Sequence, residues 1–118
     1  WPDALKVHVT AKQFFWRFDL PESGAQSTGE IAVPAGRPVH FELDSEDVIH
    51  SFFLHHLRMK RDVVPGMTTH LWVAPIEKPR TYPILCNQLC GTNHAIMNAT
   101  LRVLEPADFE RWVALRKP

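Results

Sequence analysis

Alternation between apolar and polar residues is the feature that most constrains this chain. Leu5, Val7, Val9 and Ala11 alternate with Lys6, His8, Thr10 and Lys12. Phe14, Trp16 and Phe18 alternate with Phe15, Arg17 and Asp19, and Val39, Phe41 and Leu43 alternate with His40, Glu42 and Asp44. Shorter runs follow at Leu71-Trp72-Val73 and Leu101-Arg102-Val103-Leu104. A period of two over such runs describes strands with one face buried. Ten scattered prolines disfavour long helices. Breakers fall between the runs, at Pro34-Ala35-Gly36, Pro65-Gly66 and Pro75 to Pro79, and Pro21 to Gly29 reads as one polar surface loop. The spacing predicts an all-β sandwich or barrel.

The C-terminal end reads differently. Pro106-Ala107-Asp108-Phe109-Glu110-Arg111-Trp112-Val113 places Phe109, Trp112 and Val113 on one helical face. Pro106 suits a first helical turn and Asp108 suits its dipole. The expectation is one short C-terminal helix packed on the sheets. The 118 residues suit one domain, 1–118, with one core.

Thirteen basic and thirteen acidic residues cancel. Nothing in that balance favours nucleic acid or an anionic membrane surface. No apolar stretch approaches a membrane span, and no signal peptide is visible before the start at Trp1. The expectation is a processed or excised soluble piece of a longer protein.

Chemistry concentrates in Cys86-Asn87-Gln88-Leu89-Cys90-Gly91-Thr92-Asn93-His94-Ala95-Ile96-Met97. Two thiols, an imidazole and a thioether are soft or borderline donors, the kind that copper prefers. Cys86 and Cys90 are the only two cysteines. A structural disulfide is the plain alternative, although so short a loop would constrain the unfolded chain little. Zinc through Cys86, Cys90, His94 and a distant histidine is another. A mononuclear blue-copper site uses one Cys, two His and a weak Met. A second thiolate is surplus for one copper and natural for two, because each sulfur can bridge both ions. Such a site needs a second imidazole. Among seven histidines, His50 is the best candidate, at a polar-to-apolar transition after a strand. His8, His40, His55, His56 and His70 read as surface or satisfied residues. His55 and His56, if on a strand, would point to opposite faces.

These residues resemble the binuclear copper (CuA) domain of cytochrome c oxidase subunit II. Beyond the cluster, Ser45-Glu46-Asp47-Val48-Ile49-His50-Ser51-Phe52 is similar to that family's upstream histidine segment. Lys60-Arg61-Asp62-Val63-Val64-Pro65-Gly66 is similar to the turn that follows it. Gln13-Phe14-Phe15-Trp16 is similar to its early aromatic stretch, and Phe109-Glu110-Arg111-Trp112 to its closing helix. The resemblance implies a cupredoxin-like Greek-key β-sandwich. It implies two copper ions bridged by Cys86 and Cys90 and bound by His50 and His94. Met97 and the backbone carbonyl of Gln88 would be weak ligands. It also implies a relay, not a catalyst. Electrons would come from cytochrome c or another soluble donor and pass to haem in oxidase subunit I. The parent would be membrane-anchored, with this domain on the extracytoplasmic, periplasmic side.

The chain departs from the family pattern in places. Gln88 stands where most members have Glu, which weakens the case for a magnesium or manganese site at the subunit interface. Phe14 stands where many have the Trp proposed to take up electrons. Trp16, two residues on, is expected on the same side of the strand, where it could substitute. His55 replaces a usual Pro and Met67 a usual Arg. Two other functions share the chemistry: the CuA domain of nitrous oxide reductase, and a copper storage or delivery module.

Overall fold

The computed structural model describes residues 1–86 and 98–117. Ten strands and one helix lie among them. The strands are β1 Leu5–Lys12, β2 Phe15–Leu20, β3 Ala25–Thr28, β4 Glu30–Pro34, β5 Val39–Ser45, β6 His50–Leu54, β7 Met59–Val63, β8 Thr69–Val73, β9 Arg80–Cys86 and β10 Ala99–Leu104. The helix is α1, Pro106–Ala114. The strands make two five-stranded sheets, ordered β3-β2-β1-β5-β8 and β4-β10-β9-β6-β7. Neighbours are antiparallel except β1 with β5 and β10 with β4, which are parallel. The alternation implies a sandwich or barrel, and this is the cupredoxin-like Greek-key sandwich that the resemblance implies.

The core lies between the sheets. The first contributes Val7, Val9, Trp16, Phe18, Phe41 and Leu43, and the second Ile31, Phe52, Ile84 and Leu101, all buried. In β1 and β5 every second side chain is buried and the others reach solvent, as the period of two requires.

Two readings of the sequence need correction. Pro21 to Gly29 is not one loop, because β3 occupies Ala25–Thr28 and pairs with β2. The tight turn before it is closed by the Gly24 N–H donating to the Leu20 carbonyl at 2.8 Å. Gly24 adopts φ +82, a conformation that side chains with a Cβ rarely take. Phe14 does not share a strand face with Trp16. β2 begins at Phe15, so the period of two does not reach back to Phe14. Phe14 is exposed in the β1–β2 turn, whereas Trp16 is fully buried.

α1 forms as expected, with Pro106 at its start and Phe109, Trp112 and Val113 buried. The Trp112 indole N–H donates to Glu30 Oε1 at 3.1 Å, and Arg116 donates to the same oxygen at 2.8 Å. The Arg116 guanidinium also lies 4.0 Å above the Trp112 ring centre. The helix therefore covers β4, whose residues from Ile31 to Pro34 are all buried.

Candidate metal centre

His50 opens β6 and pairs with Val63 of β7. Cys86 closes β9, with Phe52 of β6 as its register partner. Backbone pairing alone therefore brings the upstream histidine and the first cysteine together from 36 residues apart. His50 Nδ1 lies 4.0 Å from Cys86 Sγ. Two donors sharing one ion, with bonds of about 2.0 and 2.3 Å at a tetrahedral angle, sit about 3.5 Å apart. The observed separation needs only a small adjustment to admit a metal.

The other ring nitrogen is anchored. His50 Nε2 lies 2.8 Å from Asp47 Oδ1. A carboxylate only accepts, so Nε2 carries the proton of this hydrogen bond. A tautomer with its proton on Nε2 leaves the Nδ1 lone pair on the side of the sulfur. A ligating imidazole usually has this carboxylate partner on its far nitrogen. Asp47 is itself tied down by the Gln13 N–H on Oδ2 and the Val48 N–H on Oδ1, each at 2.7 Å. Burial would raise the Asp47 carboxyl. The hydrogen bonds from Gln13, His50 and Val48 outweigh it and hold the group below its ordinary range.

The surroundings are apolar. His50 is 0% exposed, and the Trp16 ring lies 5.9 Å from it, centre to centre. Trp16 also packs edge-on against Phe52. Phe14, Val48 and Ile49 are 44%, 38% and 50% exposed. Ile49 adjoins His50 in the chain, and Phe14 follows the Gln13 whose N–H holds Asp47. A buried imidazole thus lies just inside an exposed apolar rim.

Cys86 is disulfide-bonded here, so its sulfur is in the oxidised state and not the thiolate that the ligand reading requires. Gln88, Cys90, His94 and Met97 lie outside the described residues. Trp16, offered as a surface substitute for Phe14, is instead core beneath the site.

The remaining histidines lie elsewhere. His8 Nε2 pairs with Asp44 Oδ2 at 2.7 Å. His40 and His70 meet at 2.8 Å on the outer face of the first sheet. Burial holds His40 below its ordinary range; Glu42 opposes this, and His70 and Lys6 reinforce it. His55 and His56 lie on a short 3-10 turn, His55–Leu57, and not on a strand; both are exposed. Asp47 was the residue that sequence reasoning missed. Its signal was the position three before His50, whose ring it meets.

The family profile described as cytochrome c oxidase subunit II, periplasmic domain, matches residues 25–104. Cytochrome c oxidase subunit 2 of Thermostichus vulcanus is 42% identical over 111 residues, covering 94% of this chain and 33% of that protein. The chain spans about a third of the length of the first curated relatives it matches. The crystal structure of the periplasmic domain of cytochrome oxidase subunit II (CoxB) of Bradyrhizobium japonicum superposes with a TM-score of 0.88 at 26% identity, covering 95% of this chain and 92% of that one. A solved mixed disulfide intermediate between a thioredoxin-like protein, TlpAs, and a cytochrome c oxidase subunit II domain superposes at 0.83 with 26% identity, covering 94% and 89%. Neither the nitrous oxide reductase reading nor the storage reading is favoured by these matches. With this fold, this buried histidine beside a cysteine and these relatives, the chain belongs to the periplasmic-domain family of cytochrome c oxidase subunit II.

Proposed function

We propose that residues 1–118 form one electron-relay domain of a haem-copper oxidase, holding a binuclear copper centre through Cys86, Cys90, His50 and His94. Met97 and the Gln88 carbonyl complete the set as weak ligands. The observation that carries this reading is the orientation of His50. Its Nδ1 faces the Cys86 sulfur and its Nε2 is fixed by Asp47. When bound, such a copper pair would supply one-electron transfer, with the Cys86 and Cys90 thiolates and the two imidazoles as the groups that would hold it.

The chain's own residues do the rest. Asp47 sets the tautomer of His50 and its angle. Trp16, itself packed on Phe52, excludes water from one side of that ring. The apolar rim of Phe14, Val48 and Ile49 offers a face for cytochrome c or another soluble donor. Subunit I would receive the electron on the periplasmic side of the membrane. Among the described residues no helix is long and apolar enough to cross a membrane. Attachment would therefore rest on other parts of the parent protein.

Oxidised Cys86 adds a requirement. Copper loading needs the disulfide reduced by two electrons, with thiolates released for bridging. The mixed disulfide formed by a related subunit II domain with a thioredoxin-like protein supports a thiol donor of that kind. Metal analysis tests the reading. Protein reduced and then loaded should bind two coppers per chain, and unreduced protein should bind none at this site. Two coppers in unreduced protein, or one in reduced protein, would contradict it.

A further inference from the structure

The outer face of the first sheet carries a cluster that the oxidase reading does not use. In the sheet register Glu42 of β5 pairs with His70 of β8, and His40 of β5 pairs with Trp72 of β8. Side chains two apart on a strand share a face, so His40, Glu42, His70 and Trp72 all project outward together. The opposite side chains Phe41, Leu43, Leu71 and Val73 fill the core. His40 Nε2 and His70 Nδ1 lie 2.8 Å apart. One ligand atom from each of His40, His70 and Glu42 lies within 4.8 Å of the others.

From this geometry we propose that His40, Glu42 and His70 form a second metal site, taking one borderline divalent cation of the Cu2+ and Zn2+ class. Two nitrogens bound to one ion at about 2.0 Å and a tetrahedral angle lie about 3.3 Å apart. The two imidazoles need move by only a fraction of an ångström from their present contact. That contact places a single proton between two ring nitrogens, the position a metal ion would take. Two imidazoles and a carboxylate suit Cu2+ best among first-row divalent ions, with Zn2+ below it. Solvent would complete the coordination at this open face.

The site is built on rigid elements. Both strands are fixed by five register pairs between Val39↔Val73 and Leu43↔Thr69. The His40 ring stacks on Trp72 with 3.7 Å between centres and 5° between planes. This stack limits the rotation of the His40 ring. Lys6 Nζ lies 3.1 Å from Glu42 Oε1, with half of the Lys6 side chain exposed. An exposed ion pair of this kind is weak, so a divalent ion can displace it. His8, which follows on β1, is engaged by Asp44 and does not compete.

The test uses the domain with its disulfide intact, titrated separately with Zn2+ by calorimetry and with Cu2+ by tryptophan fluorescence and electron paramagnetic resonance. We expect one saturable equivalent. Cu2+ should quench Trp72 emission, and the quenching should be lost in Trp72→Phe. The Cu2+ spectrum should carry coupling to two nitrogens. His70→Ala should weaken binding by at least about tenfold and leave one coupled nitrogen, while Glu42→Gln should weaken it several-fold. His55→Ala, at an exposed histidine on the 3-10 turn, should leave the affinity unchanged. Binding that survives His70→Ala and Glu42→Gln, or that disappears in His55→Ala, would overturn the proposal. So would the absence of any saturable equivalent.

Discussion

Asp47 Oδ1 and His50 Nε2 are 2.8 Å apart, and this pair turns the opposite nitrogen of His50 toward Cys86. The carboxylate therefore decides which imidazole nitrogen is available to a metal. It acts without touching the metal position itself. The fold supports the pair from both sides, through the Gln13 N–H and the Val48 N–H.

Asp47→Ala removes that orientation. It should lower copper affinity about 10–100-fold, as loss of a ligand's hydrogen-bond partner generally does. Competition against a chelator measures it. It also leaves two backbone N–H groups unpaired, at about 1–3 kcal/mol each where they are screened from water. Affinity equal to the unsubstituted protein would remove Asp47 from the account.

Phe14 and Trp16 should separate cleanly. Phe14→Ala alters an exposed side chain and should change stability by no more than about 0.5 kcal/mol. It should nonetheless slow electron uptake from a soluble donor, measured by stopped-flow absorbance. Trp16→Ala empties a buried site and should cost about 3–5 kcal/mol in denaturant unfolding. A slow donor reaction in neither variant would move the docking face elsewhere.

Acid should weaken the fold partly through Asp44. Burial would raise this carboxyl, but hydrogen bonds from Thr68 and His8, with the charges of His8 and His70, hold it below its ordinary range. The folded state therefore binds this proton less tightly than the unfolded chain does. Its contribution is complete above about pH 4, where the unfolded carboxyl is ionised, and is lost as pH falls through the lower folded value. Asp44→Asn should be less stable than the unsubstituted protein at neutral pH, and the gap should close in acid. Urea unfolding across pH checks this; a gap independent of pH would contradict it.

The C-terminal helix should be anchored by Glu30. Trp112→Phe keeps the ring and removes the indole N–H donated to Glu30. The expected loss is about 1 kcal/mol, read as a lower urea midpoint at unchanged slope. Trp112→Ala, which also empties a buried position, should cost about 3–5 kcal/mol. Equal losses in the two variants would mean that packing at this position matters little.

Strands β1, β2 and β5, each with one wet face, were legible in the sequence. β1 and β5 alternate because one side is core and the other is solvent. β4 and β6 were not legible, because nearly every residue in each is buried and the period disappears. His50 was legible as a candidate ligand from its segment, yet its contact with Asp47 was not. Its spacing was visible, but three acidic residues precede His50, and only backbone placement selects the one whose carboxylate reaches the ring. The meeting of His40 with His70 depends on the register of β5 against β8. A period of two assigns each residue a face and leaves that register open.

We propose that the sulfur of Cys86 and the imidazole of His50 belong to one two-copper centre. Electron paramagnetic resonance of the reduced and copper-loaded domain tests it most directly. The expected spectrum shows one unpaired electron coupled to two equivalent copper nuclei, and this signal should be lost in His50→Ala and Cys86→Ser. A spectrum from a single copper nucleus, or a two-copper spectrum that persists in His50→Ala, would contradict it.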